Sequence, residues 1–334
     1  MKQTPVFKSA LRPTITRYLE LNFALGHRYK NTITALKSLD RFLSVLPRVS
    51  QDLTPEVFHS WCQSQSNLTP RVRRYRMFII RKFCLYRRRR VPDCFVPDPV
   101  LFPPLSQTVA PYIFSESEVA QLMRAAPGLQ RRTFSPLRPE VVHLSVVLLY
   151  TTGLRIGELL RLVIGDFDPG QGTLLVRASK FHKSRILPLR RDVIRELEQY
   201  IEVRRRHNVP TGSATPLIWN RRQGGKAYSA WGLQCSLWAL LDACNIRTRS
   251  GRRPRVHDFR HSFAVNALIR WYRSGADMTT KLPFLAAYLG HVSIISTYRY
   301  LHFVEPLRTL ASNRFRDSYG GLVVPLSMQE ESRA

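Results

Sequence analysis

The sequence predicts a mostly α-helical protein in two parts, the second carrying a small antiparallel β-sheet. Three observations carry this. Ahead of residue 91, apolar residues recur at three- and four-residue spacing, the signature of amphipathic helices. Between Val91 and Pro104 the chain is crowded with prolines, which forbid a helix and favour extended backbone. Beyond that stretch the helical pattern resumes, interrupted near residues 173–187 by two short alternating segments around a loop, a hairpin pattern. The length of 334 residues fits two domains of roughly 100–200 residues each. The predicted boundaries are a helical N-terminal domain over 1–91, a proline-rich linker over 92–111 and a second domain over 112–334.

In chain order, helices are expected over Ile15–Leu25 and Thr32–Leu46, the latter placing Leu36, Leu39, Phe42, Leu43 and Leu46 on one face. A third, Val72–Tyr86, mixes Phe78, Ile79, Phe83 and Leu85 with Arg73, Arg74, Arg76, Arg81 and Lys82, and runs into Arg87-Arg88-Arg89-Arg90. Ser115 and Glu118 read as a capping box opening a helix that ends near Pro127-Gly128. An apolar helix follows over 140–150, and Pro169-Gly170-Gln171-Gly172 is a turn. Strands follow at Thr173–Val176 and Arg185–Leu187, and helices at Asp192–Arg206 and Ala230–Ala243.

Charge narrows the function. There are 52 Lys and Arg against 23 Asp and Glu, a net charge of +29. Such an excess repels itself unless a polyanion answers it, and nucleic acid is the natural partner. Arginine dominates, and its planar fork suits bidentate phosphate contact. The alternating basic helix is therefore a candidate DNA surface through Arg73, Arg74, Arg76, Arg81 and Lys82, although a run of like charges is more often a solvated face. The five cysteines are odd in number and form no CxxC pair, which argues against a zinc site and a disulfide framework. The N-terminus lacks the apolar core of a signal peptide, and no apolar run reaches membrane-span length. The expectation is a soluble cytoplasmic protein associated with the nucleoid.

Three motifs and a tyrosine suggest chemistry. In Thr152-Gly153-Leu154-Arg155-Ile156-Gly157-Glu158, Glu158 lies three residues from Arg155 and can orient its guanidinium, as ordinary surface pairs also do. In His257-Asp258-Phe259-Arg260-His261, His257 and Arg260 share a helix face, an arrangement that can hold a phosphate and move a proton. Leu289-Gly290-His291 follows, and Tyr300 comes nine positions after His291, with Tyr298 seven positions after it.

Together these motifs resemble the tyrosine recombinase (phage integrase) family over most of residues 112–304. The Arg155 segment resembles its Thr-Gly-Leu-Arg box, and Ser179–Leu189 its β-hairpin. His257–Ala264 resembles its His-x-x-Arg-His box, and Leu289-Gly290-His291 with Tyr300 its closing motif. The resemblance implies a core-binding domain followed by a recombinase catalytic domain, together forming a C-shaped clamp on double-stranded DNA. It implies Tyr300 as nucleophile, Arg155 and Arg260 on the non-bridging phosphate oxygens, and His257 and His291 as hydrogen-bonding and proton-moving groups. Lys180 becomes the general acid for the leaving 5′-hydroxyl, with Glu158 in support. Lys183 is assigned to DNA contact and Tyr298 to packing or DNA. The stretch from Arg260 to Leu289 is longer than usual in the family and reads as a loop insertion; with Tyr298–His302 it resembles transposon-borne members. No metal and no other cofactor are implied. Members act as homotetramers on two DNA sites, alone or with other recombinase subunits, and the apolar residues after Tyr300 suit docking in cis or in trans. The expected activity is cleavage and rejoining of DNA through a 3′-phosphotyrosine, giving site-specific recombination, integration or transposition. Type IB topoisomerase-like relaxation and noncatalytic DNA binding are the competing readings.

Overall fold

The computed structural model describes residues 6–26, 30–47, 51–104, 110–177, 184–291 and 293–302. The chain divides into two units, Met1–Val109 and Ala110–Ala334.

The first unit holds α1 (Arg12–Ala24), α2 (Lys30–Leu43), α3 (Pro55–Gln63) and α4 (Pro70–Arg88). Leu36, Leu39 and Leu43 of α2 are buried with Ile15 and Leu19 of α1, Phe58 and Trp61 of α3, and Ile80 and Phe83 of α4. α3 is an element the sequence reading did not place. Thr54 caps it by accepting from the Val57 N–H, and Pro55 follows in the first turn, where its missing N–H is no loss.

Much of the stretch expected to be a free linker from residue 92 is packed onto this unit. Phe102 is buried in its core, with Phe95 and Val96 packed against it. Phe102 meets Phe78 edge-on at 5.0 Å. Extended proline-rich backbone donates few hydrogen bonds but offers its carbonyls, and α4 supplies the donors. Arg74 donates to the carbonyls of Phe102 (3.3 Å) and Pro103 (2.5 Å), and Arg81 to that of Pro97.

The second unit contains α5 (Glu116–Ala125), α6 (Arg138–Thr152), α7 (Ile156–Leu159), α8 (Arg191–Arg206), α9 (Ala230–Ala243), α10 (Val256–Arg273), α11 (Met278–Leu289) and α12 (Ile295–His302). Its strands are β1 (Phe167–Asp168), β2 (Thr173–Val176), β3 (Arg185–Pro188), β4 (Trp219–Asn220) and β5 (Lys226–Ala227). β1, β2 and β3 form an antiparallel meander, with Val176 opposite Arg185 in the β2–β3 pair. β4 and β5 form a separate antiparallel pair. Among the described residues no helix is long and apolar enough to cross a membrane.

α6 is apolar all round, with Val141, Val142, Leu144, Val146, Val147, Leu148 and Leu149 buried, and so serves as the central helix. α5, α8, α9 and α10 pack around it. Ser115 caps α5 in the expected box: it accepts from the Glu118 N–H, while the Glu118 carboxylate takes the Ser115 N–H.

The stretch from Arg260 to Leu289, expected to contain a loop insertion, is helical for most of its length. α10 continues to Arg273, and α11 restarts at Met278 under a cap from Asp277, which accepts from the N–H groups of Thr279 and Thr280. Leu282, Leu285 and Leu289 recur at helical spacing and bury against Ala264, Val265 and Leu268 of α10. That burial outweighs the hydrogen bond lost at Pro283 inside α11.

Candidate active site

α6 and α11 both end on a left-handed glycine, at Gly153 (φ +62°) and Gly290 (φ +66°). Glycine adopts this conformation without a Cβ clash and closes the helix sharply. Neither position has room for a side chain. A Cβ at Gly153 would sit 2.7 Å from Phe263 Cδ1 and 2.8 Å from Leu289 Cδ2, and one at Gly290 would sit 2.8 Å from Arg185 Nη1. The first turn delivers Arg155 as the cap of α7. The second delivers His291, whose N–H donates to the Ala286 carbonyl at 2.9 Å.

Arg155 and Arg260 converge on the ends of these helices. Arg155 Nη1 donates to Glu158 Oε1 at 2.8 Å, and its Nη2 reaches the Gly290 carbonyl at 3.3 Å. Arg260, from the second turn of α10, is 1% exposed and donates to the carbonyls of Gly153 (2.6 Å) and Leu289 (2.7 Å). Helix C-termini carry partial negative charge, so both cations rest where the backbone favours them.

The histidines and the tyrosine meet in the same place. The rings of His257 and His261 lie edge to face at 4.6 Å, and His261 meets Tyr300 at 5.4 Å. The His291 ring lies nearly parallel to Tyr300, 6.1 Å away at 14°. His291 Nδ1 hydrogen-bonds the fully buried Thr297 hydroxyl at 2.8 Å, which fixes the ring. Tyr300, on α12, is only 4% exposed.

Burial and the arginines set the protonation states. Burial pushes the Tyr300 hydroxyl up, while Arg260, hydrogen-bonded and charged beside it, and then Arg155 pull it back without cancelling the rise. Burial and the charges of Arg260 and Arg155 drive His291 down to about 4 and lower His257 as well, so both are neutral at pH 7. Burial alone would raise the Glu158 carboxyl. The Arg185 fork, the Arg155 N–H and the two guanidinium charges outweigh it and hold the group at about 2.

Five of the six residues expected to be catalytic, Arg155, His257, Arg260, His291 and Tyr300, are therefore together in this unit, with Glu158 beneath Arg155. Lys180 and Lys183 lie outside the described residues. Tyr298 is 42% exposed. The other DNA-contact candidates, Arg73, Arg74, Arg76, Arg81 and Lys82, are on α4 of the first unit, and several are occupied internally: Arg74 and Arg81 hold the proline segment, and Arg76 donates to Gln65 Oε1 at 2.7 Å. Arg73 is half-buried and Lys82 exposed.

Sequence reasoning missed Arg185, Thr297 and His261 as members of the site. It also passed over Arg247, Arg252, Arg253 and Arg255, which line a cleft of about 460 Å³ just ahead of α10. The density of arginine between 247 and 255, immediately before His257, was the available signal.

A family model described as "Phage integrase family" matches residues 113–305, more than half of the chain. The protein is thus a tyrosine-type recombinase, an enzyme of site-specific DNA recombination or integration. It belongs to the phage integrase family. A Sinorhizobium fredii protein whose name places it among the integrases/recombinases, y4rB, is 30% identical over 295 residues, covering 88% of this chain and 93% of that protein. The tyrosine recombinase XerA of Pyrococcus furiosus is 30% identical over 190 residues, 57% of each chain. The fold is similar to that of the XerH site-specific recombinase bound to its palindromic difH substrate, with TM-score 0.63 at 16% identity over 84% of this chain and 78% of that one. It is also similar to the Tn1549 transposon integrase in complex with transposon right-end DNA, with TM-score 0.61 at 17% identity over 86% and 94%.

Proposed function

We propose that Tyr300 attacks a DNA phosphodiester, forming a 3′-phosphotyrosine bond and releasing a 5′-hydroxyl, and that the reverse attack by a 5′-hydroxyl rejoins a strand. The supporting observation is the meeting of Arg155, Arg260, His257, His291 and Tyr300, drawn from well-separated segments, at the paired ends of α6 and α11. Arg155 and Arg260 hold the non-bridging oxygens, where attack concentrates negative charge. A preorganised donor there is worth about 10²–10³-fold in rate. A tyrosine hydroxyl is protonated at neutral pH, and more so when buried, so it needs an acceptor for its proton. His257 and His291, both neutral, can serve as acceptors. Lys180 protonates the departing 5′-hydroxyl. Glu158 holds Arg155 in place.

The partner is double-stranded DNA, contacted by the basic first unit, through exposed groups such as Lys82, and by the second, through Lys183 and the Arg247–Arg255 cleft. The acting species is a homotetramer on two DNA sites, alone or with other recombinase subunits, and the setting is a cell interior where mobile DNA is moved. The test is covalent capture. Wild type and Tyr300→Phe are expressed with DNA of the source replicon, denatured, and the protein-linked DNA sequenced. Discrete 3′-linked ends with the wild type alone are expected. Equal results from both proteins would overturn the assignment of Tyr300, and relaxation of plasmids lacking any recovered site would favour a topoisomerase-like activity.

A further inference from the structure

Arg185 is the first residue of β3, directly after the hairpin segment that contains Lys180, and its guanidinium is drawn inward to 12% exposure. It makes three hydrogen bonds to two other elements. Nη1 and Nη2 fork onto Glu158 Oε1 and Oε2 at 3.2 and 2.9 Å, and Nε donates to the Tyr288 carbonyl near the end of α11 at 2.8 Å. The Glu158 carboxylate also takes Arg155 Nη1 and the Arg155 N–H. With four donors on two oxygens it has no spare acceptor and no freedom to rotate. The Arg185 guanidinium rests against the Cα of Gly290, in space that any other residue's Cβ would occupy. One side chain thus joins the hairpin strand to the support of Arg155 and to the turn that delivers His291.

We propose that Arg185 is a positioning residue for strand cleavage, tying the hairpin to Arg155 and to the His291 turn so that the phosphate-holding and proton-moving groups are set together. A DNA-contact role fits the geometry poorly, because three of the five N–H groups are committed internally and the side chain is largely withdrawn from solvent. The proposal rests on the catalytic reading above. It adds that displacing the hairpin strand disturbs Arg155 through Glu158, although neither of those residues belongs to the hairpin.

The test compares wild type with Arg185→Met and Arg185→Lys in the full-length protein. Three quantities are read: the single-turnover rate of covalent-complex formation on the duplex recovered by capture, at saturating protein; the affinity for that duplex and its salt dependence; and, in the free protein, the ¹⁵N resonances of the Arg155 guanidinium. Misplacement of a catalytic group by about 1 Å can slow chemistry about 10²-fold, and a loss of that order is expected for Arg185→Met with affinity and salt slope unchanged. Arg185→Lys should restore only part of the rate, because an ammonium cannot span both carboxylate oxygens and the Tyr288 carbonyl. It also keeps the charge, which guards against a variant that fails to fold. The Arg155 resonances should shift and average in both variants. Unchanged cleavage in both would overturn the proposal, as would affinity and salt slope falling in step with rate, the mark of a lost phosphate contact. If the wild type forms no covalent complex on any DNA, the catalytic reading fails separately. The Arg155 resonances then still decide whether Arg185 holds that side chain: unchanged signals overturn it and altered signals support it.

Discussion

Tyr300 sits where burial opposes its ionisation and two guanidinium groups favour it, so its ionisation depends on the arginines staying in place. The side chains that keep them there have their own pH signatures. Glu158 titrates at about 2 in the folded protein against an ordinary 4.5. A carboxyl held low stabilises the fold above its unfolded value, and that stability is lost as pH falls from about 4.5 toward 2. His291 is lowered from 6.5 to about 4, so the unfolded chain binds its proton more tightly and stability also declines as pH falls from about 6.5 to 4. Thermal melts across pH should show both limbs, and Glu158→Gln should shrink the lower one, to which Asp242 and Asp277, also held low by hydrogen bonds, contribute too. At pH 7 that variant leaves Arg155 and Arg185 facing a neutral amide, and removing one partner of a buried pair costs about 3–5 kcal/mol. The melting temperature should drop by roughly 2–4 °C for each kcal/mol. Burial lowers His261 to about 4 as well and lowers His257, so His291→Asn should remove only part of the upper limb. A DNA phosphate placed between the arginines offsets their charge, so the His291 pKa should rise on binding, which a histidine NMR titration with and without duplex can read.

At the scale of elements, the site depends on two helix ends. Gly153→Ala and Gly290→Ala each force a Cβ into the left-handed region and against a neighbour within 2.8 Å. Left-handed backbone costs a non-glycine residue roughly 1–2 kcal/mol before any clash. The two variants should differ in kind. At Gly153 the neighbours are the apolar Phe263 and Leu289, so stability falls first. At Gly290 the neighbour is Arg185, so covalent-complex formation should fall further than the melting temperature alone explains. These ends were legible in the sequence because a glycine closing an apolar helix next to Arg155 or His291 is a local signal. So were the hairpin strands and the Ser115 box. α11 was not, because Gly275 and Pro283 are local breakers while the burial of Leu282, Leu285 and Leu289 is a tertiary effect. The segment from 92 was misread for the same reason: prolines do make it extended, but nothing local reveals that Phe95 and Phe102 bury themselves or that Arg74 and Arg81 seek its carbonyls. Arg185 was quoted within a motif yet given no role, because its partners lie 27 residues before it and 103 after.

For the whole molecule, each unit has its own apolar core. Calorimetry should therefore resolve two transitions, and residues 110–334 expressed alone should keep cooperative unfolding and near-native helix content. A single shared transition, or an unfolded fragment, would show that the units depend on each other for stability. Net charge of +29 acts at this scale too. Releasing counterions from phosphates makes affinity fall steeply with salt. The fragment lacking the first unit should show a shallower slope of log affinity against log salt, in proportion to the contacts removed.

The carbonyls of Gly153, Leu289 and Gly290 accept from N–H groups of Arg155 and Arg260. On the roles proposed for these arginines, a phosphate arriving there trades one set of acceptors for another, and the exchange yields little net affinity. The advantage appears only when the phosphorus gains a fifth oxygen and the charge on its oxygens exceeds what a peptide carbonyl can offer. Such an enzyme can coat a chromosome through its surface charge and still score almost none of it, because its two strongest donors reward the act of cutting rather than the act of landing.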